Sequence, residues 1–152
     1  MTTVKTIFDK KPNIEKALYI AEGNFIAGDV VLEDWVNIWA NCSFRGDLAS
    51  IRIGKNTNIQ ENSVIHTSYA PKEFKEGDEN IGHTIIGENN VIGHAVILHS
   101  CKIGNNCLVG MGSIVMDEAV MEDGSMLAAG SLLAPRKVVK SGELWAGSPA
   151  RF

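Results

Sequence analysis

A chain of 152 residues with 14 Lys and Arg against 18 Asp and Glu, net charge −4, is sized for one domain with a sizeable core. Its basic residues are scattered, which argues against nucleic acid or an anionic membrane surface as a partner. No apolar run reaches bilayer length, and residues 1–16 hold no signal-peptide core, so a cytoplasmic location is expected.

Residues 1–16 read as a lead-in segment, a candidate strand capping the start of the fold. From there one pattern governs the chain. An aliphatic or aromatic residue recurs every sixth position as Ile20, Ile26, Leu32, Ile38 and Phe44, and after a short irregularity as Ile53, Ile59 and Ile65. It resumes at Ile86, Ile92 and Leu98, slips by one, and continues as Ile103, Val109, Val115, Met121, Leu127 and Leu133. Neither the helical period of about 3.6 nor the strand period of about 2 gives this register. A six-residue period is that of a parallel β-helix, with three hexads to a triangular coil and the aliphatic pointing inward. The residue after it is often glycine, as at Gly54, Gly87, Gly93, Gly104 and Gly110, read as the small residue that lets the chain bend. Chance spacing in a Val- and Ile-rich domain does not keep register over most of a chain.

The implied organisation is all-β: a single domain over 1–152, with a lead-in at 1–16, a solenoid at 17–133 and a tail at 134–152. One loop, 67–84, breaks the period with charge, Gly and Pro, and a long excursion from a regular scaffold is a place to look for function. In the tail, Trp145 is a candidate to cover the end of the prism. Cys42, Cys101 and Cys107 form no CxxC pair and read as buried or partly buried free thiols, the last two on different faces.

Three histidines sit inside the repeat. Counting hexads places Ile65 and Leu98 on the same face one coil apart, so His66 and His99, the residues after them, stack about 5 Å apart. Two imidazoles at that separation can share a metal ion. His94 belongs to the preceding face and a different corner, and reaches the same ion only from a neighbouring subunit. That geometry predicts a homotrimer with three identical interface sites. The plainer reading of each histidine is a surface or turn residue. His83, at the end of the loop and off the stack, is expected to be exposed or at the rim.

The segments NIQENSVIH (58–66), GHAVILH (93–99) and FRGD (44–47) resemble the γ-class carbonic anhydrase family of left-handed hexapeptide-repeat β-helices, and the similarity runs from the lead-in to GSPAR. The left hand comes from this resemblance, since the general crossover rule gives the opposite hand. The resemblance implies metal ligation by His66 and His99 from one subunit and His94 from its neighbour. It also implies an interface ion pair between Arg45 and Asp47, a catalytic Gln60 bonded to the metal-bound water, and Asn58 as a nearby polar residue of the site. Zn²⁺ is the expected metal, with Fe²⁺ or Co²⁺ as alternatives. Water on such a metal has its pKa lowered to about 7 and can attack carbon dioxide as hydroxide to give bicarbonate.

Where the best-known branch of the family has a proton-shuttling glutamate, this chain has Tyr69, and Glu73, Glu76, Asp78 and Glu79 stand further along the loop. The shorter relatives it resembles carry a helix after the GSPAR-like segment, so this chain, ending at Phe152, is expected to lack that helix. Two other classes stay open. A CoA-dependent hexapeptide acyltransferase shares the fold and uses one His as general base. A non-catalytic metal or iron-chelate binding protein would use the same three ligands.

Overall fold

The hexad positions stack into three columns. The computed structural model describes residues 1–69 and 81–152, and among these the chain is a parallel β-solenoid of about seven turns with no helix, in keeping with the left-handed hexapeptide-repeat class. On the first face Ile20, Ile38, Ile59, Ile92, Val109, Leu127 and Trp145 are successive parallel partners. On the second, Ile26, Phe44, Ile65, Leu98, Val115 and Leu133 succeed one another. On the third the column is Leu32, Ile53, Ile86, Ile103, Met121 and Val139. Nearly all of these side chains are fully buried, each stabilising the prism by about 1.5–3 kcal/mol. The ladders run past Leu133 to Val139 and to the strand Leu144–Gly147.

The turns divide the labour between two kinds of residue. Two positions before most strands the backbone is left-handed, and on the first face those places are held by Trp35, Asn56, Asn89, Asn106, Gly124 and Gly142. Asn tolerates that conformation because its short side chain bonds locally. The glycines after the aliphatics have a different reason from the bend expected of them. Gly54 and Gly87 have no left-handed φ, but a Cβ on Gly54 would lie 2.6 Å from the carbonyl carbon of Gly87. The next coil passes too close for a side chain. Small polar residues fill the inside of the corners, and Ser63 Oγ donates to the Gln60 carbonyl at 2.9 Å. Cys42, Cys101 and Cys107 are free, buried and part of the same core, and burial pushes the Cys101 thiol up to about 12.

The irregularity after Phe44 has a structural meaning. The strand Ser43–Ile53 runs through the corner between the second and third faces, pairing with Val64–His66 on one and Thr84–Ile86 on the other. The extra residues there carry Asp47 and Ser50. At the ends, the lead-in strand Thr3–Lys5 pairs parallel with 25–27, and Trp145 packs partly buried against the core with its indole N–H on Glu143 at 2.8 Å. No helix among the described residues is long and apolar enough to cross a membrane.

Candidate metal centre

The side chains singled out in the sequence gather at two corners of the prism. At the corner between the second and third faces, Arg45, His66 and His99 occupy successive rungs. The His66 and His99 ring centroids are 5.1 Å apart, their planes tilted by 57°. Asp47 reaches down from the coil above. Its Oδ1 lies 3.0 Å from His66 Nε2 and its Oδ2 pairs with Arg45, while Arg45 Nη2 is 3.4 Å from His66 Nδ1. Arg45 and Asp47 thus pair within the single chain. Burial pushes the His66 imidazole below its ordinary range and the Arg45 charge adds to this, against the pull of Asp47. Burial works to raise the Asp47 carboxyl, but hydrogen bonds from His66 and Arg45 and the Arg45 charge hold it below the usual range.

At the corner between the first and second faces lie Gln60, Glu61 and His94. Ile59 and Ile92 are rung partners, which sets Gln60 beside Gly93 and Glu61 beside His94. His94, with half its side chain exposed, turns Nδ1 to Glu61 Oε2 at 2.8 Å. Asn58 and Gln60 flank inward-pointing Ile59 and so point outward, as alternation along a strand requires. Asn58 Oδ1 is buried with no hydrogen-bond partner among the described residues. A buried amide oxygen is normally satisfied, so this one calls for a donor beyond the described residues. Among the described residues no three His, Cys, Asp or Glu side chains converge on one point.

Two acidic residues of this neighbourhood were not singled out in the sequence. Glu61 holds His94, and Asp117 Oδ2 holds His99 Nδ1 at 3.0 Å. The signal was available: Glu61 precedes His94 by 33 residues and Asp117 follows His99 by 18, and each step brings a residue to the neighbouring coil. The donor set suits a divalent metal. His94 and His99 keep Nε2 clear of hydrogen bonds among the described residues, and imidazole nitrogens are ordinary ligands of Zn²⁺, Fe²⁺ and Co²⁺.

His83, expected to be exposed or at the rim, has a specific partner. It is half-buried, and its Nδ1 accepts from the Ser50 backbone N–H at 3.1 Å with Ser50 Oγ at 2.7 Å. The bulge that places Asp47 also places Ser50, which the hexad count did not show. Burial, then the Arg52 charge, pushes the His83 imidazole below its ordinary range, opposed by Asp29. A depressed folded-state pKa means that the unfolded chain takes up the proton first. Stability is therefore full above about pH 6.5, the ordinary histidine value, and is lost as pH falls toward the folded-state value. Thermal unfolding between about pH 7.5 and pH 5 should show this loss, and His83→Gln should flatten the slope. Tyr69 is exposed. Glu73, Glu76, Asp78 and Glu79 lie outside the described residues.

A family model described as Bacterial transferase hexapeptide (six repeats) matches residues 83–117 and 100–135. The chain is 43% identical over 150 residues to Gamma carbonic anhydrase 3, mitochondrial, of Arabidopsis thaliana, covering 99% of this chain and 56% of that protein. It is 41% identical over 143 residues to Protein YrdA of Escherichia coli, covering 94% of this chain and 76% of that one. Among solved structures it resembles a hexapeptide transferase family protein from Anaplasma phagocytophilum, with 48% identity, TM-score 0.86, and coverage of 99% and 82% of the two chains. It spans about half the length of the curated plant carbonic anhydrases it matches. With the repeat, the stacked histidines and these relatives in view, the chain belongs to the γ-class carbonic anhydrase-like family of hexapeptide-repeat β-helix proteins.

Proposed function

We propose that this chain reversibly hydrates carbon dioxide to bicarbonate at a divalent metal held by three histidines in a homotrimer. His66 and His99 come from one subunit and His94 from the next. The observation that carries this reading is the pairing of His66 and His99 at 5.1 Å on one corner, with His94 on another corner and its Nε2 unengaged among the described residues. Apolar side chains on the outside of the second face, Val64 and Ile97, each 40% exposed, support a subunit contact beside that corner.

Zinc is the expected metal, with Fe²⁺ or Co²⁺ as alternatives. A metal so held lowers the pKa of a bound water to about 7. The protein's part is to orient and exclude. Gln60 offers a neutral amide that orients the attacking water without titrating. Asn58 is a polar neighbour of that water, its Oδ1 unpaired among the described residues. Arg45 and Asp47 pair across the subunit boundary in the trimer, and Asp47 then leaves His66.

Stopped-flow carbon dioxide hydration, on protein loaded with zinc in air or with iron under anaerobic conditions, tests the reading. Gln60→Ala should keep its metal and lose about 10–100-fold in kcat, the effect typical of an outer-shell partner. Fully loaded trimers that hydrate no faster than buffer would leave a metal-binding role and remove the catalytic one.

A further inference from the structure

Each of the three histidines meets a carboxylate, but not through the same ring nitrogen. His94 turns Nδ1 to Glu61 at 2.8 Å and His99 turns Nδ1 to Asp117 at 3.0 Å. His66 instead meets Asp47 through Nε2 at 3.0 Å. An ionised carboxylate only accepts hydrogen bonds, and a guanidinium only donates them. In neutral His94 and His99 the proton therefore sits on Nδ1, and the Nε2 lone pair is open. In His66 the proton sits on Nε2, and the Nδ1 lone pair faces Arg45 Nη2 at 3.4 Å. A metal ion binds a lone pair, so the partner of one nitrogen decides which edge of the ring can ligate.

The two Nδ1 partners are held by the solenoid rather than by long flexible tethers. Glu61 comes directly after Gln60 at the turn one coil above His94, and its carbonyl accepts the Ala95 N–H at 2.8 Å. Asp117 sits one coil below His99, and its carbonyl accepts the Arg136 N–H at 3.0 Å. The ladder that stacks Ile59 on Ile92 and Leu98 on Val115 brings carboxylate and imidazole into register. Coils are rigidly spaced, so each acid has one ring within reach.

We propose that Glu61 and Asp117 are the positioning residues of the metal centre, fixing His94 and His99 in the Nδ1–H tautomer and so presenting Nε2 of each as the donor. This rests on the reading of His94 and His99 as ligands. Two of the three ligands are then preset by their carboxylates, while His66 gives up its Asp47 contact when the trimer forms.

The test reads the proton position and the affinity separately. Long-range ¹H–¹⁵N spectra of zinc-stripped, histidine-labelled protein should show Nδ1–H for His94 and His99. Glu61→Ala should move His94 alone to Nε2–H, and Asp117→Ala should move His99 alone. Each should weaken zinc binding by about 10–100-fold. Glu61→Gln and Asp117→Asn keep an acceptor oxygen and should recover part of that loss. A merely structural role would lower the melting temperature and leave the tautomers in place. Wild-type zinc affinity in both alanine variants, or rings already Nε2–H in the unmutated protein, would overturn the positioning role alone. An unmutated protein that takes up no zinc would overturn the ligand reading beneath it.

Discussion

His94→Ala is expected to strip the metal from the assembled protein while leaving the fold of each chain intact. His94 is half exposed at a turn, and its side chain's only polar contact among the described residues is Glu61, so truncating that side chain should change stability by no more than about 0.5 kcal/mol. The backbone bond from Ala95 to Glu61 that closes the turn does not involve the side chain. The effect on metal should be of another order. Removing an outer-shell partner typically weakens binding 10–100-fold, and removing one of three ligands should exceed about 100-fold. Metal content after dialysis, read beside circular dichroism, checks both halves. A variant with full occupancy would sink the shared site, because His66 and His99 would then suffice without a neighbour. The same variant is the blank for the hydration assay.

Phe44→Ala should be the most damaging single change in the core, and it should reach the site from behind. Phe44 is fully buried on the second face between Ile26 and Ile65. Truncating a buried Phe costs about 3–5 kcal/mol, part lost transfer energy and part cavity. That is a large share of the 5–15 kcal/mol that holds a typical domain together. Arg45 comes directly after Phe44 and stacks over His66, so a collapse of this rung should loosen the corner that holds Arg45, Asp47 and His66. Chemical denaturation gives the stability change. Metal affinity measured well below the transition tells whether the folded variant still holds the corner. A loss under about 1 kcal/mol would mean that the neighbouring rungs close over the cavity.

The fold was legible because the solenoid repeats one local solution. Each aliphatic at the sixth position meets its own kind one coil away, so a one-dimensional count gives the partner of nearly every core residue. The same count stacked His66 on His99 and set His94 apart. It did not give the reason for the glycines, because the distance between Gly54 and the backbone of Gly87 belongs to two coils at once. Nor did it give the bulge between Phe44 and Ile53, where the register breaks and the chain itself decides where Asp47 and Ser50 point. The partner of His83 was hidden for that reason: Ser50 sits in a corner that the period does not describe.

The hexad pattern specifies the architecture, the three faces and the corner each histidine occupies, because burial of a strictly periodic side chain admits one register. Which nitrogen of each imidazole is engaged, and by which acid, is set by packing in three dimensions. Those contacts join residues 18 to 33 positions apart through side-chain geometry, and a hydrogen bond forms or fails over a few tenths of an ångström, a distance that no spacing in the sequence encodes.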